Sequence, residues 1–137
     1  MTIQKDIITL WDNGTDRLYL FSVPESSQYN YRDGLPCITI GLSYENEAYK
    51  GCDIFTFFDH YYVELLDTIK AVSCSLNGTF RLYDMGADTD GYVDFEMNKG
   101  QLHIKGQLGA SFSSHYLMFG FDADQTLLGS LIQNISY

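Results

Sequence analysis

The chain has 137 residues, 45% of them hydrophobic and 19% charged, a composition typical of one globular domain over residues 1–137 and not of a disordered segment. The 18 acidic residues exceed the 8 basic ones, for a formal net charge of −10. A field of this sign repels nucleic acid and anionic membranes, so neither is expected as a partner, and it speeds encounter with basic proteins.

Strands are predicted in the first part of the chain, where β-branched and aromatic residues concentrate. Ile7 to Trp11 and Arg17 to Val23 flank the hairpin signal Asp12-Asn13-Gly14, so these two segments should pair. Apolar and polar residues alternate from Cys37 to Tyr44, which predicts a half-buried strand, and Gly51 to Phe57 is the expected return strand. This part of the sequence therefore predicts antiparallel sheet.

A polar loop is predicted between these pairs, from Glu25 to Pro36. Its length is typical of a contact loop, and it carries Tyr29 and Tyr31. Tyrosine buries a large area with few rotors to freeze, so both side chains are candidate recognition residues, with packing on the sheet as the alternative. Tyr44 and Tyr62 are expected in the core instead.

A helix is predicted from Phe58 to Val72, because apolar residues recur there at intervals of three and four. Asp59 is the expected N-cap, and Asn77-Gly78 marks the point by which the helix has ended. The predicted buried stripe consists of Phe58, Tyr62, Leu65, Leu66, Ile69 and Val72. One face of this helix should therefore lie on the sheet.

Further strands and a closing helix are predicted in the second half of the chain. The strands are Thr79 to Tyr83, Tyr92 to Met97, Gln101 to Leu108 and His115 to Phe121. Their short spacing predicts an antiparallel meander, and the last helix should run from about Asp124, its N-cap, to Ile135. The predicted fold class is α+β: an antiparallel β-sheet, as a meander or sandwich-like, with one central and one C-terminal helix packed on it.

Residues that could carry catalysis or hold a metal are scattered. The carboxylates from Asp84 to Glu96 invite a calcium interpretation, but aligning Asp88 and Asp90 with an EF-hand loop leaves its first and last positions without ligands. The histidines lie in separate predicted elements, and no nucleophile motif of Ser or Cys is present. We therefore expect no enzyme activity, no metal and no cofactor. A site assembled from residues distant in sequence is the alternative.

The cysteines and the N-terminus predict the compartment. Cys37, Cys52 and Cys74 cannot all pair within one chain and form no C-x-x-C motif, which is typical of a reducing environment. The first residues lack the apolar core of a signal peptide, and no window approaches the roughly 18 apolar residues of a membrane helix. A cytoplasmic location is expected.

The end of the chain carries the most specific pattern, Phe119-Gly120-Phe121-Asp122-Ala123-Asp124-Gln125-Thr126-Leu127-Leu128. Two aromatic residues and Asp-Gln-Thr here precede a short helix. Together with the strand Ile38 to Leu42 and with Leu102-His103-Ile104-Lys105-Gly106, this closing signature resembles the WapI-like family of small bacterial immunity proteins. The likeness covers the chain from about Asp33 onward.

The resemblance implies a bacterial cytoplasmic protein that binds a cognate polymorphic toxin domain, in many systems a basic nuclease, and neutralises it by occlusion. It brings no catalytic residues and no defined interface motif. Since the negative charge suits a basic partner, we expect an exposed acidic cluster at the interface, with two tyrosines as aromatic anchors. The predicted partner-binding residues are Asp84, Asp88, Asp90, Asp94, Glu96, Tyr29 and Tyr31.

Two other classes of function are compatible with the sequence. A small-ligand-binding module would need an apolar pocket between sheet and helix. An oligomeric structural module would leave an apolar sheet face or an edge strand uncovered. The sequence leaves open whether the chain is a monomer or a homodimer.

Overall fold

The structure is a computed structural model that describes residues 7–21, 30–32 and 35–135, the side chains of residues 30–32, 35 and 36 excepted. Its elements, in chain order, are β1 (Ile7–Asp12), β2 (Arg17–Phe21), β3 (Asn30–Arg32), β4 (Leu35–Glu45), β5 (Lys50–Phe58), α1 (Asp59–Ser75), β6 (Asn77–Tyr83), β7 (Tyr92–Asn98), β8 (Gln101–Leu108), β9 (Leu117–Asp124) and α2 (Gln125–Ile135). The strands pair antiparallel in two sheets. The predicted α+β class, with a central and a C-terminal helix, is confirmed.

The first sheet is organised around β4, its longest strand. β2 and β3 pair with successive parts of one edge of β4, while β5 pairs along the other edge. The predicted polar loop from Glu25 to Pro36 is therefore wrong at residues 30–32 and 35–36, which are strand. Pairing with β4 overrides the local turn propensity of this segment, since strand formation depends on the neighbours that a segment meets.

The predicted hairpin of β1 and β2 is confirmed. Its turn closes because the Asn13 side-chain oxygen accepts the N–H groups of Thr15 and Asp16, at 2.9 and 2.7 Å. The ladder is irregular between Thr9 and Trp11, where the register shifts by one residue. A bulge of this kind bends an edge strand and re-aims its side chains.

The second sheet is the predicted meander, with β6, β7, β8 and β9 paired in chain order. The β7–β8 turn places Lys99 and Gly100 at positive φ, 51° and 83°, as a tight hairpin turn requires. β9 lies later in the chain than the predicted His115 to Phe121, because its last residue, Asp124, still pairs with Gln101. The polar end of β9 is therefore part of the sheet.

Helix α1 begins and ends differently from the prediction. Its N-cap is Phe58, in extended conformation and without a side-chain cap hydrogen bond, so Asp59 is the first helical residue and the predicted cap is wrong. Asp59 still lies in the first turn, where a negative charge suits the helix dipole. The helix ends when Leu76 adopts the left-handed conformation, φ 60°, and its N–H bonds Val72 O at 2.9 Å.

One cluster of buried side chains spans both sheets and both helices. The predicted core residue Tyr44 is 2% exposed, and its ring stacks on Phe119 and Phe121 of β9, with centroids 4.6 and 5.5 Å away. Tyr62 of α1, 1% exposed, donates its hydroxyl to the carbonyl of Ile135 in α2. Tyr44 thus joins the two sheets, and Tyr62 joins the two helices.

The two halves of the fold repeat one arrangement. In the first half, β1, β2, β4 and β5 lie side by side in chain order and lead into α1, with β3 as an additional short strand paired with the start of β4. In the second half, β6 to β9 lie side by side and lead into α2. No helix among the described residues combines the length and the apolar character that crossing a bilayer requires.

Candidate functional site

The predicted acidic cluster divides between the β6–β7 loop and the face of β7. Asp84 was expected to be exposed, but it is 8% exposed, and the expectation is wrong at this residue. Its carboxylate accepts the N–H groups of Thr56, Gly86 and Asp88 at 2.8, 3.2 and 2.8 Å, and that of Thr89 at 3.3 Å. The Asp84 carboxylate therefore holds the backbone of its own loop together and ties it to β5.

Asp90 is exposed but has internal partners. Its carboxylate accepts the side-chain amide of Gln107 at 2.9 Å, the Ser111 N–H at 2.8 Å and the Ser111 hydroxyl. The Ser111 hydroxyl, followed by its N–H, lowers the pKa of Asp90 below the ordinary 3.8. This carboxylate ties the β6–β7 loop to the β8–β9 loop, while Asp88 lies exposed between Asp84 and Asp90.

The outer face of the second sheet, which we define as the exposed side of β6–β9, holds the remaining members of the cluster. Register sets its side chains in rows across four strands. One row is Tyr83, Tyr92, Gln107 and Met118; the next is Arg81, Asp94, Lys105 and Gly120; the third is Thr79, Glu96, His103 and Asp122; the last is Asn77, Asn98, Gln101 and Asp124. Directly paired side chains in such rows lie within contact distance.

Asp94 is neutralised on this face by a neighbour in its own row. Arg81 Nε and Nη2 donate to its two carboxylate oxygens at 2.6 and 2.9 Å, and the guanidinium lies 4.3 Å from the centroid of the Tyr92 ring. This bidentate bond raises the pKa of Arg81. Asp94 is thus less available to a partner than the exposed Glu96.

The last two rows form the acidic end of the outer face, with Glu96, Asp122 and Asp124 exposed and no lysine or arginine in either row. His103 Nδ1 lies 2.7 Å from Asp122 Oδ1, in a side chain that is 86% exposed. Asp124 caps α2 as predicted, because its Oδ1 accepts the N–H and hydroxyl of Thr126 at 2.9 and 2.5 Å. These bonds, the hydroxyl first, lower the pKa of Asp124.

A cleft of about 730 Å³ opens at this acidic end. Its lining includes the three carboxylates, His103 and the amides of Asn98 and Gln101, and Trp11 of β1 also borders it. A second cleft of about 340 Å³ lies beside it, between Arg81, Glu96 and Lys105. The cleft at the acidic end is therefore lined mainly by polar side chains, with Trp11, Leu102 and Ala123 as its apolar members.

The first row forms the aromatic end of the outer face. Tyr83 is 43% and Met118 58% exposed, and Tyr116, just before β9, is 51% exposed. Phe112, at 75%, is carried by the β8–β9 loop, which Asp90 fixes through Ser111. Large apolar side chains left in water beside a polar surface are typical of protein-contact sites.

The remaining predicted site residues are tyrosines of the first sheet region. Tyr29 lies outside the described residues, and Tyr31 belongs to β3, where the description covers its backbone alone. Sequence reasoning did not select Asp122 or His103 as contact residues. The alternation of β8 and β9 marks both as surface positions, and the tight β7–β8 turn places His103 beside Glu96. The β8–β9 register, which places Asp122 beside His103, follows a longer connection, residues 109–116, that is not a tight turn.

The architecture defines a class: an α+β protein of two antiparallel sheets, each leading into a helix, with a polar outer face on the second sheet. Across residues 7–21, 30–32 and 35–135, no three His, Cys, Asp or Glu side chains converge as metal ligands would. No family model matches the chain, and no curated protein matches it.

Among solved structures, the chain is similar to WHY1 from Arabidopsis thaliana, with a TM-score of 0.54 over 98% of this chain and 83% of that one, at 10% sequence identity. Identity at this level shows a shared fold and nothing of the site. The likeness of the closing signature to WapI-like immunity proteins stays a prediction.

Proposed function

We propose that this protein is a bacterial cytoplasmic immunity protein that binds a cognate toxin domain and neutralises it by occlusion, without catalysing a reaction. The observation that carries the proposal is the acidic end of the outer face, where Glu96, Asp122 and Asp124 are exposed within two neighbouring rows of the sheet. An acidic surface of this kind complements the cationic substrate groove of a nuclease. The closing signature supports the same function.

The two ends of the outer face contribute differently to the proposed binding. The acidic end would steer a basic partner and set its orientation, because charge complementarity acts mainly on association rate and register. The aromatic end, with Tyr83 and Met118, would supply the apolar area that slows dissociation. The proposed contact surface thus drops Asp84, which is buried, and adds residues of β8 and β9.

The test is binding of the purified protein to the toxin domain encoded beside it. We expect tight 1:1 binding, loss of toxin activity at equal molar amounts, and an association rate that falls as salt rises from about 0.05 M to about 0.5 M, since added ions screen the acidic face. Failure to bind this domain or to protect cells from it contradicts the proposal. A small molecule retained in native mass spectrometry would then favour the ligand-binding alternative.

A further inference from the structure

The β1–β2 turn and the start of β6 carry the same three residues, asparagine, glycine and threonine, in different surroundings. These segments are Asn13-Gly14-Thr15 and Asn77-Gly78-Thr79. An asparagine before glycine can cyclise, because the next backbone nitrogen lies within reach of the side-chain carbonyl carbon and glycine has no side chain to obstruct the approach. Any difference in reactivity between the two sites therefore reports on the fold around them.

Asn13 is held with its side-chain carbonyl polarised. Its Oδ1 accepts two backbone N–H groups, from Thr15 at 2.9 Å and from Asp16 at 2.7 Å. When a nucleophile adds to Cγ, negative charge develops on this oxygen, and two donors aimed at it stabilise that charge as an oxyanion hole does. Among the described residues, none accepts a hydrogen bond from Asn13 Nδ2, the nitrogen that must leave.

Gly14 supplies the attacking nitrogen, and Asp12 is placed to accept its proton. The Gly14 N–H donates to Asp12 Oδ1 at 2.9 Å. A base at hydrogen-bond distance can take up the proton that the nitrogen loses as its bond to carbon forms. Asn13 and Gly14 are both exposed, so water reaches the turn. The turn therefore combines a nucleophile, a proton acceptor and an oxyanion site.

Asn77 has the opposite arrangement. Its Nδ2 donates to the Ser75 carbonyl at 3.2 Å, and its Oδ1 accepts one backbone N–H, that of Lys99 at 3.1 Å. Gly78, which would supply the attacking nitrogen, pairs with Met97 in the β6–β7 ladder. Cyclisation here must free Nδ2 from its acceptor and move a residue of a paired strand. The fold should therefore protect Asn77.

We infer that Asn13 is a site of spontaneous deamidation built into the β1–β2 turn. Gly14 N forms a bond to Asn13 Cγ and gives its proton to Asp12, while Nδ2 takes up a proton and leaves as ammonia, which closes a succinimide ring. Water then adds to either ring carbonyl and opens the ring to aspartate or isoaspartate, with no oxidation or reduction. The product places a further negative charge beside Asp12 and Asp16, and the isoaspartate form lengthens the turn backbone by one carbon.

The test follows both sites in the intact protein near neutral pH and at physiological temperature. Trypsin separates them, since Asn13 lies in the peptide 6–17 and Asn77 in the peptide 71–81, and neither peptide contains another asparagine or a glutamine. Mass spectrometry measures the replacement of NH₂ by OH, and an isoaspartyl methyltransferase labels the isoaspartate. We expect Asn13 to react at least about tenfold faster than Asn77.

Unfolding in urea is the control for local sequence, because it leaves two identical Asn-Gly-Thr segments without their folded surroundings. The two rates should then become about equal. Equal rates in the folded protein, or a faster reaction at Asn77, would overturn the inference. A preference for Asn13 that persists in urea would also overturn it, since the folded turn would not be the cause.

The variant Asp12→Ala tests the proton acceptor. We expect the Asn13 rate in the folded protein to fall at least about threefold. The Asn77 rate should stay unchanged, which also shows that the variant remains folded. The matched control Glu47→Ala removes the same charge from the exposed β4–β5 turn and should change neither rate. An unchanged Asn13 rate in Asp12→Ala would overturn the part assigned to Asp12. Both rates are measured without a partner, so their outcome is independent of the proposed function.

Discussion

The carboxylates of the β6–β7 loop and those of the outer face have the same chemistry in opposite surroundings. Asp84 accepts hydrogen bonds from its own loop and from β5, and Asp90 accepts them from Gln107 and Ser111, so these charges hold the chain together. Glu96 and Asp122 alternate with buried or half-buried neighbours along β7 and β9, so their charges lie on the outward side of the sheet. Asp84 and Asp90 thus contribute to the fold, while Glu96 and Asp122 remain exposed to solvent.

Among the predicted effects, removing a carboxylate of the β6–β7 loop should change stability the most. Asp84→Ala leaves four backbone N–H groups without their acceptor, and we expect the free energy of unfolding to fall by about 3 kcal/mol. Urea unfolding measures this. Asp67→Ala, on the exposed side of α1, is the control and should change stability by less than about 0.5 kcal/mol. An equally small change for Asp84→Ala would contradict the structural role.

Substitution of the outer-face carboxylates should change binding to the toxin domain and leave the stability of the fold unchanged. Glu96→Gln/Asp122→Asn should leave the unfolding free energy within about 0.5 kcal/mol of the parent, because exposed ion pairs contribute little. Its association with the toxin domain at low salt should slow by about tenfold. Stopped-flow or surface kinetics would show this, with Glu64→Gln/Asp67→Asn correcting for the change in net charge. An unchanged association rate would remove these residues from the interface.

Asp124 combines the two roles, since it lines the cleft on the outer face and also stabilises the fold by capping α2. Asp124→Ala should lower the unfolding free energy by about 1 kcal/mol through loss of the cap. Asp124→Ser restores a capping oxygen without the charge, so stability should recover while toxin binding stays reduced. Thermal unfolding and binding kinetics on the two variants separate the roles. Recovery of both properties in Asp124→Ser would show that the charge is not used.

The smallest expected effect is a change in the pKa of Asp90. Because the folded pKa of Asp90 lies below the unfolded value of 3.8, its contribution to stability is fully present above pH 3.8 and is lost as pH falls through the folded pKa. Ser111→Ala removes the main cause, so the pKa of Asp90 should rise toward 3.8. Carboxyl ¹³C NMR across this range gives the value, with Ser113→Ala as control. An unmoved Asp90 pKa would contradict the contact with Ser111.

Much of the fold can be predicted from the sequence because it depends on the local pattern of apolar and polar residues. Alternation predicts β4, β7 and β8, and the three-and-four spacing predicts α1, whose buried residues Tyr62, Leu66, Ile69 and Val72 all belong to the predicted stripe. The Asp124 cap was likewise readable from its position before an apolar helix. These features depend on residues within a few positions of each other.

The errors arise where a distant partner decides. β3 was missed because its pairing with the edge of β4 makes it a strand. Asp84 was expected to be exposed, and its contact with Thr56, 28 residues earlier, has no local sequence signal. The acidic cluster was identified by its density in sequence, yet the sheet register places Glu96 in one row with His103 and Asp122, apart from Asp84. Pairing across strands has no signature in one strand alone.

The repeated arrangement of the two halves bears on how the chain acquires its structure. Apart from the β2–β4 pair, each described strand of the two meanders pairs with its neighbour in sequence, so the loops to be closed are short and local hairpins can form early. The first meander can pair while the rest of the chain is still being synthesised. Tyr44 and Tyr62, however, await partners near the C-terminus, in β9 and α2. The first half can therefore form its hairpins alone, but the contacts of Tyr44 and Tyr62 require β9 and α2.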